Sequence, residues 1–272
     1  MAVKVVVPEK GEFLRDVAEH FFQRFVYVRS NEDLFFKYYR PYVEKAIGLA
    51  GKGRVAIIGG GDVVHLLMAE MVKAGDYSDM YLVDANPKQI EVEMAKLRAV
   101  GTLKAEEFFT GGLDMGEYEG FIDPVLGSDL QELAGCLCRQ DGYGWTLLEP
   151  IKDGVARFVE EAENGKRDLY FVLENIGDFI EDYVDRIGLI YLSNVQEWKR
   201  IPEDPNTPIV DLEPSLELRH IKLLKRKGVK AFGCCELQEF PPSWHEYFEL
   251  HSLDRVPGVF YCTPLRTQYQ SW

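Results

Sequence analysis

Residues 54–62 read Arg-Val-Ala-Ile-Ile-Gly-Gly-Gly-Asp, and residues 80–86 read Met-Tyr-Leu-Val-Asp-Ala-Asn, with an amphipathic stretch between them. This is an apolar strand ending in a glycine turn, then a helix, then a second apolar strand ending in an acid. Gly59, Gly60 and Gly61 remove Cβ atoms where the backbone must approach a ligand, and Asp84 can accept hydrogen bonds from both hydroxyls of a ribose. The pattern points to a nucleoside-containing cofactor. The same glycines would also serve an ordinary strand-helix-strand unit that needs only a tight turn.

The turn itself narrows the cofactor. A dinucleotide fingerprint is Gly-x-Gly-x-x-Gly; Gly59 and Gly61 fit it, but its last position is Val64. Asp62 directly after the glycines disfavours a diphosphate at the helix N-terminus, whereas it suits the ammonium of a methionyl tail. S-adenosylmethionine therefore satisfies both acids better than NAD does.

Working outward, strands are expected at 54–58, 80–83, 169–173, 189–192 and 229–234, and helices at 63–73, 87–100 and 216–227, with Gly228 stopping the last. A final strand over 259–263 could pair antiparallel at the sheet edge. Such alternation predicts an α/β fold, a Rossmann-like doubly wound and mostly parallel sheet. Residues 1–50 carry helical apolar stripes (Phe21, Phe22, Phe25; Leu34, Phe35, Tyr38, Tyr39) and are expected as an N-terminal helical cap. Residues 51–272 then form the cofactor-binding α/β domain. Between 101 and 167 the strand rhythm stops, and a helical insertion covering the ligand is expected there. Its aromatics Phe108, Phe109, Tyr118, Tyr143 and Trp145 suit an apolar or planar acceptor, and equally an ordinary core. Residues 201–214, rich in Pro, Glu and Asp, read as an exposed loop of the kind that serves as a mobile lid.

Ligands of open α/β sheets bind beyond the carboxyl ends of the strands. Glu174 and Asn175 are placed to reach an adenine edge, Ala85 and Asn86 flank the ribose acid, and Ser193 and Asn194 border the acceptor. Each polar pair could equally cap a loop. Neither methyl transfer nor transfer of the aminocarboxypropyl group needs a side-chain nucleophile. Glu197, Glu32 or Tyr39 could take a proton from an acceptor.

Composition sets outer bounds. The chain has 272 residues, is 46% hydrophobic and carries a formal charge of −14, which argues against a nucleic-acid partner held on a broad basic surface. The one basic stretch, 222–230, reads as the solvated end of a helix. No run of about eighteen apolar residues is present and the first residues lack a signal-peptide core, so a soluble, cytoplasmic protein is expected. Five cysteines match neither a disulfide framework nor a zinc spacing, and His245 and His251 lack a third ligand, so no metal is expected.

Three short stretches add a resemblance. Asp84-Ala-Asn-Pro-Lys-Gln followed by Glu93, Lys96, Leu97 and Ala99 resembles the Asp-x-Asn-Pro-x-Gln…Glu-x-Lys-x-x-Ala stretch of the aminocarboxypropyltransferases that begin betaine-lipid synthesis, a branch of the class I S-adenosylmethionine-dependent transferases. Asn31-Glu-Asp is similar to their Trp-Glu-Asp element, and Leu192-Ser-Asn-Val-Gln-Glu-Trp to their Leu-Ser-Asn-x-x-Asp-Trp element. The glycine turn is also similar to that of polyamine aminopropyltransferases and ordinary methyltransferases, and the betaine-lipid family's later arginine-containing signature has no counterpart here. The resemblance implies a transferase that moves a 3-amino-3-carboxypropyl group, with a small or lipid-like acceptor. A methyltransferase, an NAD-dependent oxidoreductase and a non-catalytic nucleoside-binding protein are the alternatives.

Overall fold

The computed structural model describes residues 3–21, 54–59, 63–76, 78–87, 138–140, 145–147, 149–193, 200–208, 211–234, 244–251 and 259–264, together with residues 44, 47, 90, 93, 94 and 97. At its centre lie strands β2 (Arg54–Ile58) and β3 (Met80–Asp84), parallel and in register from Val55 opposite Met80 to Ile58 opposite Val83. Both are buried along nearly their whole length, as strands covered on two faces must be. Helix α2 (Val63–Ala74) joins them. Gly75 ends it at φ 67°, where the Gly75 and Asp76 N–H groups return to Val72 and Met71 carbonyls at 3.1 and 2.9 Å. Only the left-handed region brings both donors back onto the last turn, and glycine enters it without a Cβ penalty.

An eight-stranded sheet grows from that pair. Its further strands are β1 (Val3–Val6), β6 (Leu169–Leu173), β7 (Ile187–Ser193), β8 (Lys230–Cys234), β9 (Phe248–His251) and β10 (Val259–Pro264), in the spatial order β1-β6-β3-β2-β7-β8-β10-β9. The six from β1 to β8 run parallel; β10 is antiparallel to both β8 and β9. Three successive strands, β2, β3 and β6, step one way across the sheet, and β7 and β8 then step the other way from β2. A separate two-stranded pair joins β4 (Cys138–Gln140) to β5 (Trp145–Leu147).

Alternation along each strand divides the core. Val55, Ile57, Met80, Leu82, Phe171 and Tyr191 face one layer with α2 and helix α3 (Glu149–Glu163), while Ala56, Ile58, Tyr81, Val83, Val172 and Leu192 face helices α4 (Ile176–Tyr183) and α5 (Leu218–Lys227). Helix α2 is buried almost all round because it lies between the sheet and α3. At that crossing a Cβ on Gly154 would stand 2.8 Å from both Cα and Cβ of Ala69. Gly154→Val should therefore force the helices apart and cost about 1–3 kcal/mol, read as a lower urea midpoint with an unchanged slope. An unchanged midpoint would mean the crossing yields without strain.

The mostly parallel α/β sheet agrees with the sequence reading, as do the positions of β2, β3, β6, β7, β8, α2 and α5. Other parts differ. Residues 3–6, expected within a helical cap, form the sheet's edge strand; helix α1 (Leu14–Phe21) follows, and most of the remaining cap lies outside the described residues. Helix α3 falls in the stretch expected as an insertion, yet Val155, Phe158, Val159 and Ala162 belong to the main core. It is the helix that leads into β6. The antiparallel strand over 259–264 is present, but β9 lies outside it as the true edge. Among the described residues no helix is long and apolar enough to cross a membrane.

Candidate functional site

Hydrogen bonds lace neighbouring strand ends along the carboxyl edge. Gly59, at φ 59°, donates its N–H to the Val83 carbonyl at 3.0 Å, so the turn leaving β2 is pinned beside the last residue of β3. That conformation admits glycine freely and strains other residues. Asp84 turns its Oδ1 onto the Asn86 N–H at 2.8 Å, and its carbonyl accepts the Glu174 N–H at 3.1 Å. Glu174 directly follows β6. On the other flank Leu192 pairs in register with Ile58, which brings Ser193 at the end of β7 next to the glycine turn. Gly59, Asp84, Ala85, Asn86, Glu174 and Ser193 thus gather on one edge, where the strand order reverses. Gly60, Gly61, Asp62, Asn194 and Glu197, and also Glu32 and Tyr39, lie outside the described residues.

Two carboxyls on this edge are displaced far from ordinary acidity. Asp84 is half-buried as a residue, yet burial of its carboxyl outweighs the Asn86 and Ala85 backbone donors and pushes it up to about 7. Glu174 is 1% exposed and neither of its oxygens has a hydrogen-bond partner. Burial first, and the nearby Asp182 and Asp178 second, push it up to about 8 against the attraction of Lys10 and Arg200. A carboxyl in that state is a neutral acid at pH 7, holding one O–H donor and an acceptor oxygen. Gly11 closes over the strand from the N-terminal side: a Cβ there would stand 2.1 Å from the Leu173 carbonyl oxygen.

Asn175 ties the loop after β7 to the start of α4. Its Nδ2 donates to the Ile201 carbonyl at 3.1 Å and its Oδ1 accepts the Ile201 N–H at 3.0 Å, both buried. It precedes α4 without capping it. One amide hydrogen and one lone pair remain for an adenine. Arg200 adds an ion pair to buried Asp178 at 2.8 Å, and its N–H reaches the Glu213 carbonyl at 2.8 Å. Ile201 and Leu212 are buried. The loop expected as a mobile lid is therefore fastened to α4 at its base, because a buried backbone pair at Ile201 needs partners and Asn175 supplies them.

A buried polar pair includes a residue of α2. His65, on the first turn of α2, lies with Nε2 3.6 Å from Glu93 Oε2, and both are buried. Their signal was present: Glu93 belongs to the stretch that carried the family resemblance, and an acid on a core-facing helical position requires a polar neighbour. Among the described residues no group of three or more His, Cys, Asp or Glu side chains is placed to hold a metal ion.

No family model matches the chain, and no curated protein matches it either.

Proposed function

We propose that this chain is an S-adenosylmethionine-dependent group transferase built on a Rossmann-like doubly wound sheet. The observation that supports the reading is the 3.0 Å bond from Gly59 to Val83, which sets the start of the glycine turn beside Asp84, the acid we assign to the ribose, on the edge where the strand order reverses. Counted from β2, the order β6-β3-β2-β7-β8 is the 3-2-1-4-5 order of nucleotide-binding sheets. The antiparallel β10 departs from the all-parallel dinucleotide arrangement, and Val64 breaks its glycine fingerprint, so NAD is the weaker ligand.

The residues present fit the proposed cofactor. Asp84 keeps lone pairs free for two ribose hydroxyls after accepting the Asn86 N–H, and the orphaned Glu174 acid offers a donor and acceptor pair that matches the amino-pyrimidine edge of adenine. Gly59 to Gly61 would meet the methionyl backbone and Asp62 its ammonium. When bound, the sulfonium supplies an electrophilic carbon, and its orientation decides which group leaves. The chain's own part would be to orient it, with Ser193, Asn194 and Glu197 assigned to the border of a small or lipid-like acceptor and Glu197 assigned to take its proton. The family resemblance favours the 3-amino-3-carboxypropyl group; methyl transfer is the alternative.

Titration calorimetry decides the cofactor: S-adenosylmethionine should bind and NAD should not, and the reverse would overturn the assignment. Asp84→Ala should weaken S-adenosylmethionine by about 1–3 kcal/mol. Ribose hydroxyls donate to the ionised acid, so ligand binding should release a proton and affinity should rise as pH climbs through about 7. Asp84→Asn should flatten that slope. Product analysis then separates the two chemistries, methylthioadenosine marking aminocarboxypropyl transfer and S-adenosylhomocysteine marking methyl transfer.

A further inference from the structure

Charge is distributed unevenly in this protein. The twelve residues from Arg219 to Lys230 hold six cations (Arg219, Lys222, Lys225, Arg226, Lys227, Lys230) and no acid; subtracting them from a net −14 leaves −20 on everything else. Two of the six are neutralised locally, Arg219 by Glu181 and Glu217 at 3.3 and 2.9 Å, and Lys227 by Asp185. Lys222, Lys225 and Arg226 form no ion pair among the described residues. On α5 they stand at positions i+4, i+7 and i+8 from Leu218, hence on one helix face. Leu218 is 44% exposed, one of two large exposed hydrophobic side chains among the described residues. Tyr247 borders the same stripe, its ring centre 5.8 Å from the Lys222 ammonium and 5.7 Å from that of Lys225.

Helix-dipole compensation accounts for some cations in the last turn, but not for Lys222, nor for an exposed leucine in line with it. We propose that this face of α5 is a docking surface for a short acidic segment of a partner protein, with acids opposite Lys222, Lys225 and Arg226 and an apolar residue over Leu218. The size of the stripe selects that partner over larger polyanions. From Leu218 to Arg226 it runs about 12 Å and offers three cations beside one apolar side chain, a footprint of a few residues, whereas an anionic bilayer or a nucleic-acid duplex is held by a far wider spread of cations.

Fluorescence anisotropy with a labelled octapeptide of glutamate and leucine tests the surface. At low salt it should bind the full chain with a Kd of about 10–100 μM, weakening about tenfold or more as salt screens the contacts. Lys222→Glu with Arg226→Glu should abolish binding, and the gentler Lys222→Gln with Arg226→Gln should weaken it about threefold to tenfold with an unchanged melting curve. Binding that survives both double variants overturns the proposal. So does tighter binding to phosphatidylserine vesicles or to a DNA duplex than to the peptide.

Discussion

Glu174→Gln should remove much of the protein's loss of stability in alkali. In the folded chain this acid is raised from 4.5 to about 8, so the folded state holds a proton that the unfolded state releases. The stabilisation from that proton is complete below about 4.5 and disappears as pH rises through about 8. The full shift corresponds to roughly 5 kcal/mol at about 1.4 kcal/mol per unit. We expect about 2–4 kcal/mol in practice, because local opening around the carboxyl admits water before the whole molecule unfolds. Urea melts at pH 5 and pH 9 should show the two proteins within about 1 kcal/mol at the lower pH and the variant more stable at the higher. Asp84 adds a slope of the same sign up to about 7, which the variant keeps. Parallel stability profiles for wild type and variant across this range would remove Glu174 as a buried proton holder.

The same substitution bears on the proposed cofactor. Glutamine keeps a donor and an acceptor in the shape of the neutral acid, so S-adenosylmethionine affinity at pH 7 should stay within about threefold. Glu174→Ala removes both and should weaken it. A carboxyl left 1% exposed with two idle oxygens is costly, and a ligand that satisfies it recovers part of that cost.

Why some of this was legible in sequence, and some not, follows from where the signals arise. Strands β2, β3 and β6 announce themselves because parallel strands buried on both faces become unbroken apolar runs, Val-Ala-Ile-Ile and Leu-Tyr-Phe-Val-Leu among them. The edge strands lack that pressure. In β1 the pattern Val-Lys-Val-Val leaves Lys4 exposed to pair with Asp168 at 2.7 Å, and in β9 Phe-Glu-Leu-His leaves Glu249 exposed. Four residues of mixed polarity do not distinguish a strand from a loop.

On the carboxyl edge, the position of Asp84 was legible because it closes the apolar run Met-Tyr-Leu-Val that forms β3. Its proximity to Glu174 was not, since ninety residues separate them in the chain and only the sheet order joins β3 to β6. Asn175 shows the converse. Its position after a strand suggested a ligand contact, while its buried bonds to Ile201 depend on a loop whose path no local pattern encodes.

Glu161→Leu should be among the most damaging single changes, at about 3–5 kcal/mol. Its carboxylate is 2.6 Å from the Arg167 guanidinium, whose side chain is 0% exposed and packs over the Phe158 ring at 4.2 Å. Removing the acid takes a 2.6 Å carboxylate contact from a fully buried cation in the core layer shared by α3 and the start of β6, and breaking one side of a buried pair costs far more than replacing both. Arg157, the other cation on Glu161, is 61% exposed and simply returns to solvent. The double change Glu161→Leu with Arg167→Met should recover most of the loss, since apolar groups of similar volume often replace a buried pair at little cost. Denaturant melts of both single variants and the double close the cycle. Additive losses would show that the two side chains stabilise the fold independently, and that the short contact between them contributes nothing of its own.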